Sequence, residues 1–559
     1  MSAARAPSRR FPYHGGMAAQ HALIDPTTPP VATTTAGKVR GMWRPCPSMA
    51  AGAGAFSHSA AFLGIPFAAA PVGPLRFAAP VPHSHWDGIR DAVEQGPTPH
   101  RAGPPEPTLI PEPSVPGEST LNVNVFTPAP SVAAALPVLV YIHGGGFTAG
   151  SPASPWYDGA AFNRDGVVTV SVSYRLGFDG FGLIEGAPDN RAVLDWLLAL
   201  EWVQQNIAAF GGDPARVTLA GQSAGGGAVL TLLGMPRAQP LFAQAYCLSG
   251  ALGDVSRDKA GALAERLAGL AGVEPTLEGF ASVPEERLLE LQSKAREPGG
   301  GKFSMLRRVI SGGLSLGPMV DGELITAPTL DSLHAGIGSD KSLVLGTADD
   351  EFAMVVAGMQ SKLRFVPVRL LLGQAGLARG NRSDYLAANR EVVRSGSAAV
   401  LGRYISDAVF RSTALKVAEY RTATAEGGAA TSDPVDAPAS NQAATASGST
   451  PGTPSESTPG RANTWLFRFS WRSPVFGRAV HCLDVPFFFD CLGADRIDAL
   501  AGKTPPQALA DEVHGAAVSF AISGGPGWDG YAGGLRTKVF DSPSSMVDDG
   551  YASVRPLLE

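Results

Sequence analysis

Cysteine is scarce in this sequence. Four residues, Cys46, Cys247, Cys482 and Cys491, are spread over 559 positions. They are too few for a disulfide framework and lack the paired C-x-x-C spacing of a zinc site. Such usage suits a reducing compartment, so a cytoplasmic location is expected. Long basic runs are missing too: Lys and Arg number 44 against 50 acids, for a net charge of −6. Nothing here forms an electrostatic footprint for nucleic acid or a membrane surface. No apolar stretch reaches the roughly 18 residues that span a bilayer; the richest, Val132 to Ile142, is interrupted by Pro137. The N-terminus (MSAARAPSRRFPYHGG) has early positive charge but no apolar segment behind it, so it does not read as a secretory signal.

What is present is apolar mass and glycine. Hydrophobic residues make up 44% and charged residues 17%, which supports a large core and excludes global disorder. Gly (67) and Pro (47) are abundant, but without the Gly-X-Y period of collagen. At about 150 residues per domain, length alone predicts three or four domains. The pattern along the chain points elsewhere. Residues 1–32 read as a mobile, polar tail, and short apolar runs follow to Phe77. LNVNVF (121–126), LPVLVYI (136–142), VVTVSVSY (167–174) and RVTLA (216–220) read as strands. NRAVLDWLLALEWVQQNIAAF (190–210) carries apolar residues at helical spacing, and a second helix is expected after Gly225. SLVLGT (342–347) and TWLFRFSW (464–471) add two more strands. Strands alternating with helices indicate an α/β fold with a large, mostly parallel central sheet, flanked by helices on both faces. Between Thr422 and Gly460 Val435 is the lone large aliphatic residue and aromatics are absent; this stretch is expected to be a disordered insertion. Residues 33–559 are then expected to form one domain.

Two glycine clusters each follow a strand. The first is His143-Gly144-Gly145-Gly146-Phe147, the second Gly221-Gln222-Ser223-Ala224-Gly225. A G-x-S-x-G match is weak by itself, since about 0.6 would arise by chance at these frequencies. Indeed Gly313-Leu314-Ser315-Leu316-Gly317 also matches, but Pro318 and no helical pattern follow it. Ser223 has the context that gives the motif meaning: a strand, a sharp turn, then a helix whose N-terminus favours developing negative charge. Gly144, Gly146 and Ala149 also fit a dinucleotide fingerprint, G-x-G-x-x-A. That reading needs a helix next, which Pro152 and Pro155 break, and an acid ending the following strand, which VVTVSVSYRLG lacks. A loop without side chains can instead aim backbone N–H groups at an oxyanion.

These blocks, with FLGIPFAAAPVGPLRF (62–77), LNVNVFTPA (121–129), YIHGGGFTAGS (141–151), SVSYRLGFDGF (171–181), ALEWVQQNIAAFGGDPARVTLAGQSAGG (199–226), GTADDEF (346–352) and AVHCLDVPFFF (479–489), resemble the type-B carboxylesterase family. This is the cholinesterase and para-nitrobenzyl-esterase-like branch of the α/β-hydrolase fold. The similarity runs from about Val31 to the C-terminus apart from the insertion.

The resemblance implies a serine esterase acting on a small-molecule ester through an acyl-enzyme, with neither metal nor cofactor, and with oligomeric state open. In that fold the acid and then the histidine follow the nucleophile Ser223. Beyond Ser223 lie His334, His481 and His514. His334 precedes the acid block and His514 falls in an expected helix, so both read as surface or satisfied histidines. His481 lies in the block resembling H-x-x-E-x-P, with Asp484 in place of the glutamate, and is the expected general base. Glu351 matches the family acid, with Asp350 as the alternative; Phe352 stands where the family has glycine. Gly145, Gly146 and the Ala224 N–H are implied as the oxyanion hole, His143 as a residue orienting the loop, and Ser249 as a hydrogen-bonding support. Thr120 stands where secreted relatives carry a disulfide cysteine, in keeping with a bacterial-type, cytoplasmic member. Carbamate or amide hydrolysis by the same mechanism, and a non-catalytic binding relative, are the alternatives. VPVRLLLG (366–373) and FSMLRRVI (303–310) are candidate walls of an apolar gorge or ordinary core.

Overall fold

The computed structural model describes residues 26–558 apart from 48–54, 102–108, 297–309, 311–312, 354–355, 357–358 and 428–461. Eleven strands form one sheet: β1 (Met42–Pro45), β2 (His58–Pro66), β3 (Asn122–Thr127), β4 (Leu136–Ile142), β5 (Val168–Val172), β6 (Gly212–Gln222), β7 (Gln244–Leu248), β8 (Ser342–Ala348), β9 (Thr464–Phe469), β10 (Arg536–Phe540) and β11 (Ser545–Asp548). Their spatial order is β11-β10-β9-β8-β7-β6-β4-β5-β3-β2-β1. The run from β10 to β5 is parallel, and antiparallel strands close both edges. Val31–Thr33, Lys38–Arg40 and Ile89–Asp91 make a separate small sheet.

The main helices are α1 (Arg191–Asn206), α2 (Ala224–Leu233), α3 (Ser397–Ser406), α4 (Ser412–Gly427) and α5 (Gln507–Ser523). Alternation along β4 explains why both faces of the sheet are covered. Val138, Val140 and Ile142 enter one core with Trp196 and Val203 of α1 and Ala228 and Leu232 of α2. Leu139 and Tyr141 enter the opposite core with Val513, Ala517 and Phe520 of α5. A strand buried on both faces must be apolar throughout, as LPVLVYI is. β3 is also fully buried although it alternates. Its polar residues are satisfied inside: Asn122 Nδ2 donates to Pro97 O at 2.8 Å and Asn124 Nδ2 to Gln95 Oε1 at 2.8 Å.

Two expected boundaries move. The first strand of the small sheet starts at Val31, within the stretch expected as tail; residues 1–25 lie outside the described residues. α4 continues through Thr422 to Gly427, because TATAEG carries enough helix formers to extend a turn anchored by the buried Arg421. Of the expected insertion, 428–460 lies outside the described residues.

The order of the central strands positions the site. The chain runs β4 to β5 on one side, then returns to place β6 against the other side of β4. The loops leaving β4 and β6 therefore emerge next to each other at the carboxyl edge of the sheet. Ile142 pairs with Gly221, so His143 and Gln222 start those loops side by side.

Candidate active site

Ser223 sits at φ 59°, ψ −122° between β6 and α2. An L-residue there costs of order 1–3 kcal/mol and needs the surroundings to hold it. Its N–H donates to Leu248 O at 3.0 Å, while its carbonyl accepts from Gly227 N at 2.9 Å and Ala251 N at 3.0 Å. The flanking glycines are required by contact. A Cβ on Gly225 would lie 2.0 Å from Ile142 O, and one on Gly221 2.4 Å from Gly225 O. On the facing loop, a Cβ on Gly144 would lie 2.7 Å from Gln222 O and 3.1 Å from Ser223 Cβ. Both clusters thus let two turns approach where side chains cannot fit.

The structure brings Ser223, His481 and Glu351 into line. The Ser223 hydroxyl donates to His481 Nε2 at 2.9 Å, and His481 Nδ1–H donates to Glu351 Oε2 at 2.5 Å. Glu351 is fully buried, and its other oxygen accepts from Ala348 N at 2.9 Å. The backbone binds the two loops as well: His481 N donates to Glu351 O at 2.9 Å. The neighbouring acids have other partners. Asp350 faces Arg403 at 3.1 Å and Arg478 at 3.6 Å, and Asp349 accepts from Arg468 at 2.7 and 2.8 Å. Of the three adjacent acids, Glu351 is the one that reaches the imidazole.

Burial pulls the His481 pKa down, but Cys482 and the Glu351 carboxylate beside it outweigh that, so it lies above 6.5. Asp484 is buried beside them; burial, with the Glu351 charge adding, pushes its carboxyl up to about 7. A residue missed from the sequence is Gln222, whose Nε2 lies 3.3 Å from His481 Nε2 and 3.3 Å from Cys482 Sγ. Its place beside the serine in the motif was the available signal.

The N–H groups of Gly145, Gly146 and Ala224 have no protein acceptor among the described residues. All three residues line a cavity of about 430 Å³ that also holds Ser223 and His481. Its remaining walls are mostly apolar, among them Leu109, Ile110, Leu252, Phe352 and Phe410, with Glu112 as a polar exception. Ile310 lines it too, but residues 303–309 lie outside the described residues. VPVRLLLG does not reach it: Val368–Gln374 is a helix whose Leu371 and Leu372 enter a separate core cluster.

His143 is buried, with its ring stacked on Tyr174 at 4.6 Å and Nδ1 donating to Gly144 O at 2.8 Å. Tyr174 Oη donates to His143 O at 2.9 Å. Burial lowers the His143 pKa to about 4. Ser249 bonds through its backbone. Its hydroxyl is buried without a protein partner among the described residues, and its N–H is what bonds, to Gly346 O at 2.8 Å. His514 sits on α5, satisfied by Phe488 O at 2.8 Å and Asp165 at 3.1 Å, while the exposed His334 stacks on Tyr420 at 4.5 Å. Ser315 accepts from Arg296 at 3.2 Å and no helix follows it.

A serine on a strained strand-to-helix turn, in line with a histidine and an acid from loops at the same carboxyl edge, defines an α/β-hydrolase. The carboxylesterase family profile matches residues 28–532. The para-nitrobenzyl esterase of Bacillus subtilis is 30% identical over 516 residues, covering 89% of this chain and 94% of that protein. Among solved structures, a PNB esterase superposes with a TM-score of 0.70 at 27% identity, covering 95% and 100% of the two chains. A Geobacillus stearothermophilus carboxylesterase does so with a TM-score of 0.71 at 29% identity, again over 95% and 100%. The chain belongs to the carboxylesterase family, and its activity is hydrolysis of carboxylic esters. No helix among the described residues is long and apolar enough to cross a membrane.

Proposed function

We propose that this esterase works through Ser223 as nucleophile, His481 as general base and acid, and Glu351 as the group that fixes the imidazole. The observation that carries the reading is the unbroken hydrogen-bonded line from Ser223 Oγ through His481 to the buried Glu351, opening on an apolar cavity. His481 Nε2 takes the hydroxyl proton as Oγ attacks the ester carbonyl. Glu351 keeps the proton on Nδ1 and stabilises the imidazolium. The oxyanion is bound by the N–H groups of Gly145, Gly146 and Ala224, and loss of one such donor costs about 3 kcal/mol in the transition state. His481 then protonates the leaving alcohol. Water, deprotonated by the same nitrogen, cleaves the acyl-enzyme.

The walls favour esters of small or medium apolar acids, and a chain-length series of nitrophenyl esters measures that preference. A pre-steady-state burst of nitrophenol, equal to the enzyme concentration and lost in Ser223→Ala, is the expected signature of the acyl-enzyme. A burst that persists in that variant overturns the assignment. A single catalytic unit that includes the strand from Val31, and a cytoplasmic location, belong to the same reading. The first is supported by one sheet running from Met42 to Asp548, the second by four free cysteines.

A further inference from the structure

His481 is gripped by more than its ring contacts to Glu351, Ser223 and Gln222. The Phe352 ring meets the imidazole edge-to-face, centroids 5.0 Å apart at 67°. Phe410 lies against it from another side at 4.9 Å and 37°. The two phenyl rings also meet each other, at 5.0 Å and 85°, so the three rings close a triangle on the cavity wall. Both phenylalanines are fixed from behind. Phe352 N donates to Ser406 Oγ at 3.3 Å. Phe410 lies in a π-helical turn, Asp407–Arg411, that joins α3 to α4. That turn is locked by an Asp407–Arg411 ion pair at 2.6 Å, both side chains fully buried. Such wider turns occur often at functional sites.

The triangle matters most at one stage of the cycle. Before reaction the imidazole is held at both nitrogens, by Glu351 and by the Ser223 hydroxyl. Once Oγ is esterified it carries no proton, and the Ser223 tether is gone, leaving Nε2 with the long Gln222 amide contact at 3.3 Å. The ring must nevertheless stay aimed, because Nε2 next accepts a proton from water. The water oxygen then bonds to the acyl carbon, the bond from that carbon to Oγ breaks, and the proton returns from Nε2 to Oγ. We propose that Phe352, with Phe410 behind it, is a positioning residue that holds the His481 imidazole during deacylation. This rests on the assignment of Ser223, His481 and Glu351 above.

The kinetic consequence is specific. In an acyl-enzyme scheme, slowing deacylation alone lowers kcat and KM together and leaves kcat/KM unchanged, because that ratio reports acylation. Phe352→Ala and Phe352→Leu, the second keeping most of the bulk, are assayed with a nitrophenyl ester. Active sites are counted in each variant by stoichiometric phosphonate titration. In both variants kcat and KM are expected to fall together by about tenfold with kcat/KM within about twofold, and Phe352→Tyr to restore wild-type values. A fall in kcat at unchanged KM, tracking a loss of titratable sites, reduces Phe352 to a packing residue and overturns the proposal. So do unchanged constants in both variants. A wild-type enzyme that phosphonate does not titrate at Ser223 fails instead at the nucleophile, which separates that error from this one.

Discussion

Replacing Glu351 by Gln probes how the site chooses one protonation pattern. Glu351 uses its oxygens differently: Oε1 accepts from Ala348 N at 2.9 Å and Oε2 accepts from His481 Nδ1–H at 2.5 Å. A glutamine there has one carbonyl oxygen and one NH₂. The Ala348 N–H is buried and needs an acceptor, so the amide oxygen stays on it and the NH₂ turns to Nδ1. The imidazole must then carry its proton on Nε2, where it cannot accept one from Ser223. A wrong tautomer in an otherwise intact triad lowers kcat by about 10⁴-fold, or about 5 kcal/mol. The control is Asp350→Asn, whose partners are Arg403 and Arg478; it should stay within about tenfold of wild type. Steady-state hydrolysis of a nitrophenyl ester measures both, with folding checked by circular dichroism.

The pH profile adds a sign. Burial lowers the His481 pKa, but Cys482 and Glu351 raise it more, so the acid limb of kcat/KM lies above pH 6.5. Removing the Glu351 charge disfavours the imidazolium, and the limb of the residual activity moves to lower pH. The reasoning is refuted if Glu351→Gln keeps over about a tenth of the activity while Asp350→Asn loses about a thousandfold.

Other outcomes follow from the same contacts. Gly225→Ala drives a Cβ to 2.0 Å from Ile142 O and should destabilise by about 3 kcal/mol. Gly269→Ala, in open space on the Arg257–Ala271 helix, should stabilise by up to about 1 kcal/mol; thermal melts compare the two. The buried Asp484 carboxyl titrates near about 7 in the fold but near about 4 when unfolded. The fold therefore binds the extra proton, and stability is lost as pH rises between those values, by roughly 4 kcal/mol in all. Asp484→Asn escapes that loss, so its melting advantage over wild type should grow from pH 4 to pH 8; a constant gap contradicts it. Deleting residues 428–460, just past the end of α4 at Gly427, should leave esterase activity within a few-fold, and a large loss shows that the segment serves the site.

The central strands and both glycine clusters were legible in the sequence because each is a local necessity. LPVLVYI is apolar on both faces because two cores claim it, and glycine is the residue that lets the turns after Ile142 and Gln222 touch. What tertiary placement decides was not legible. The aromatic clamp joins Phe352 to Phe410 through a π-turn that no motif announces. Composition left VPVRLLLG as cavity wall or ordinary core, and Leu371 and Leu372 fill a core cluster. Apolar character says that a segment will be buried but not against what. The helix end at Gly427 was hidden because Ala and Thr suit both a helix and a low-complexity linker. The resemblance implied a supporting role for Ser249, and it is the backbone N–H that bonds there.

The most direct test of the account is covalent. The protein is treated with a nitrophenyl phosphonate, digested, and the modified peptide sequenced by mass spectrometry. The account predicts one adduct per chain, on Ser223, lost in both Ser223→Ala and His481→Ala. An adduct on another residue, or one that forms equally well without Ser223, contradicts it.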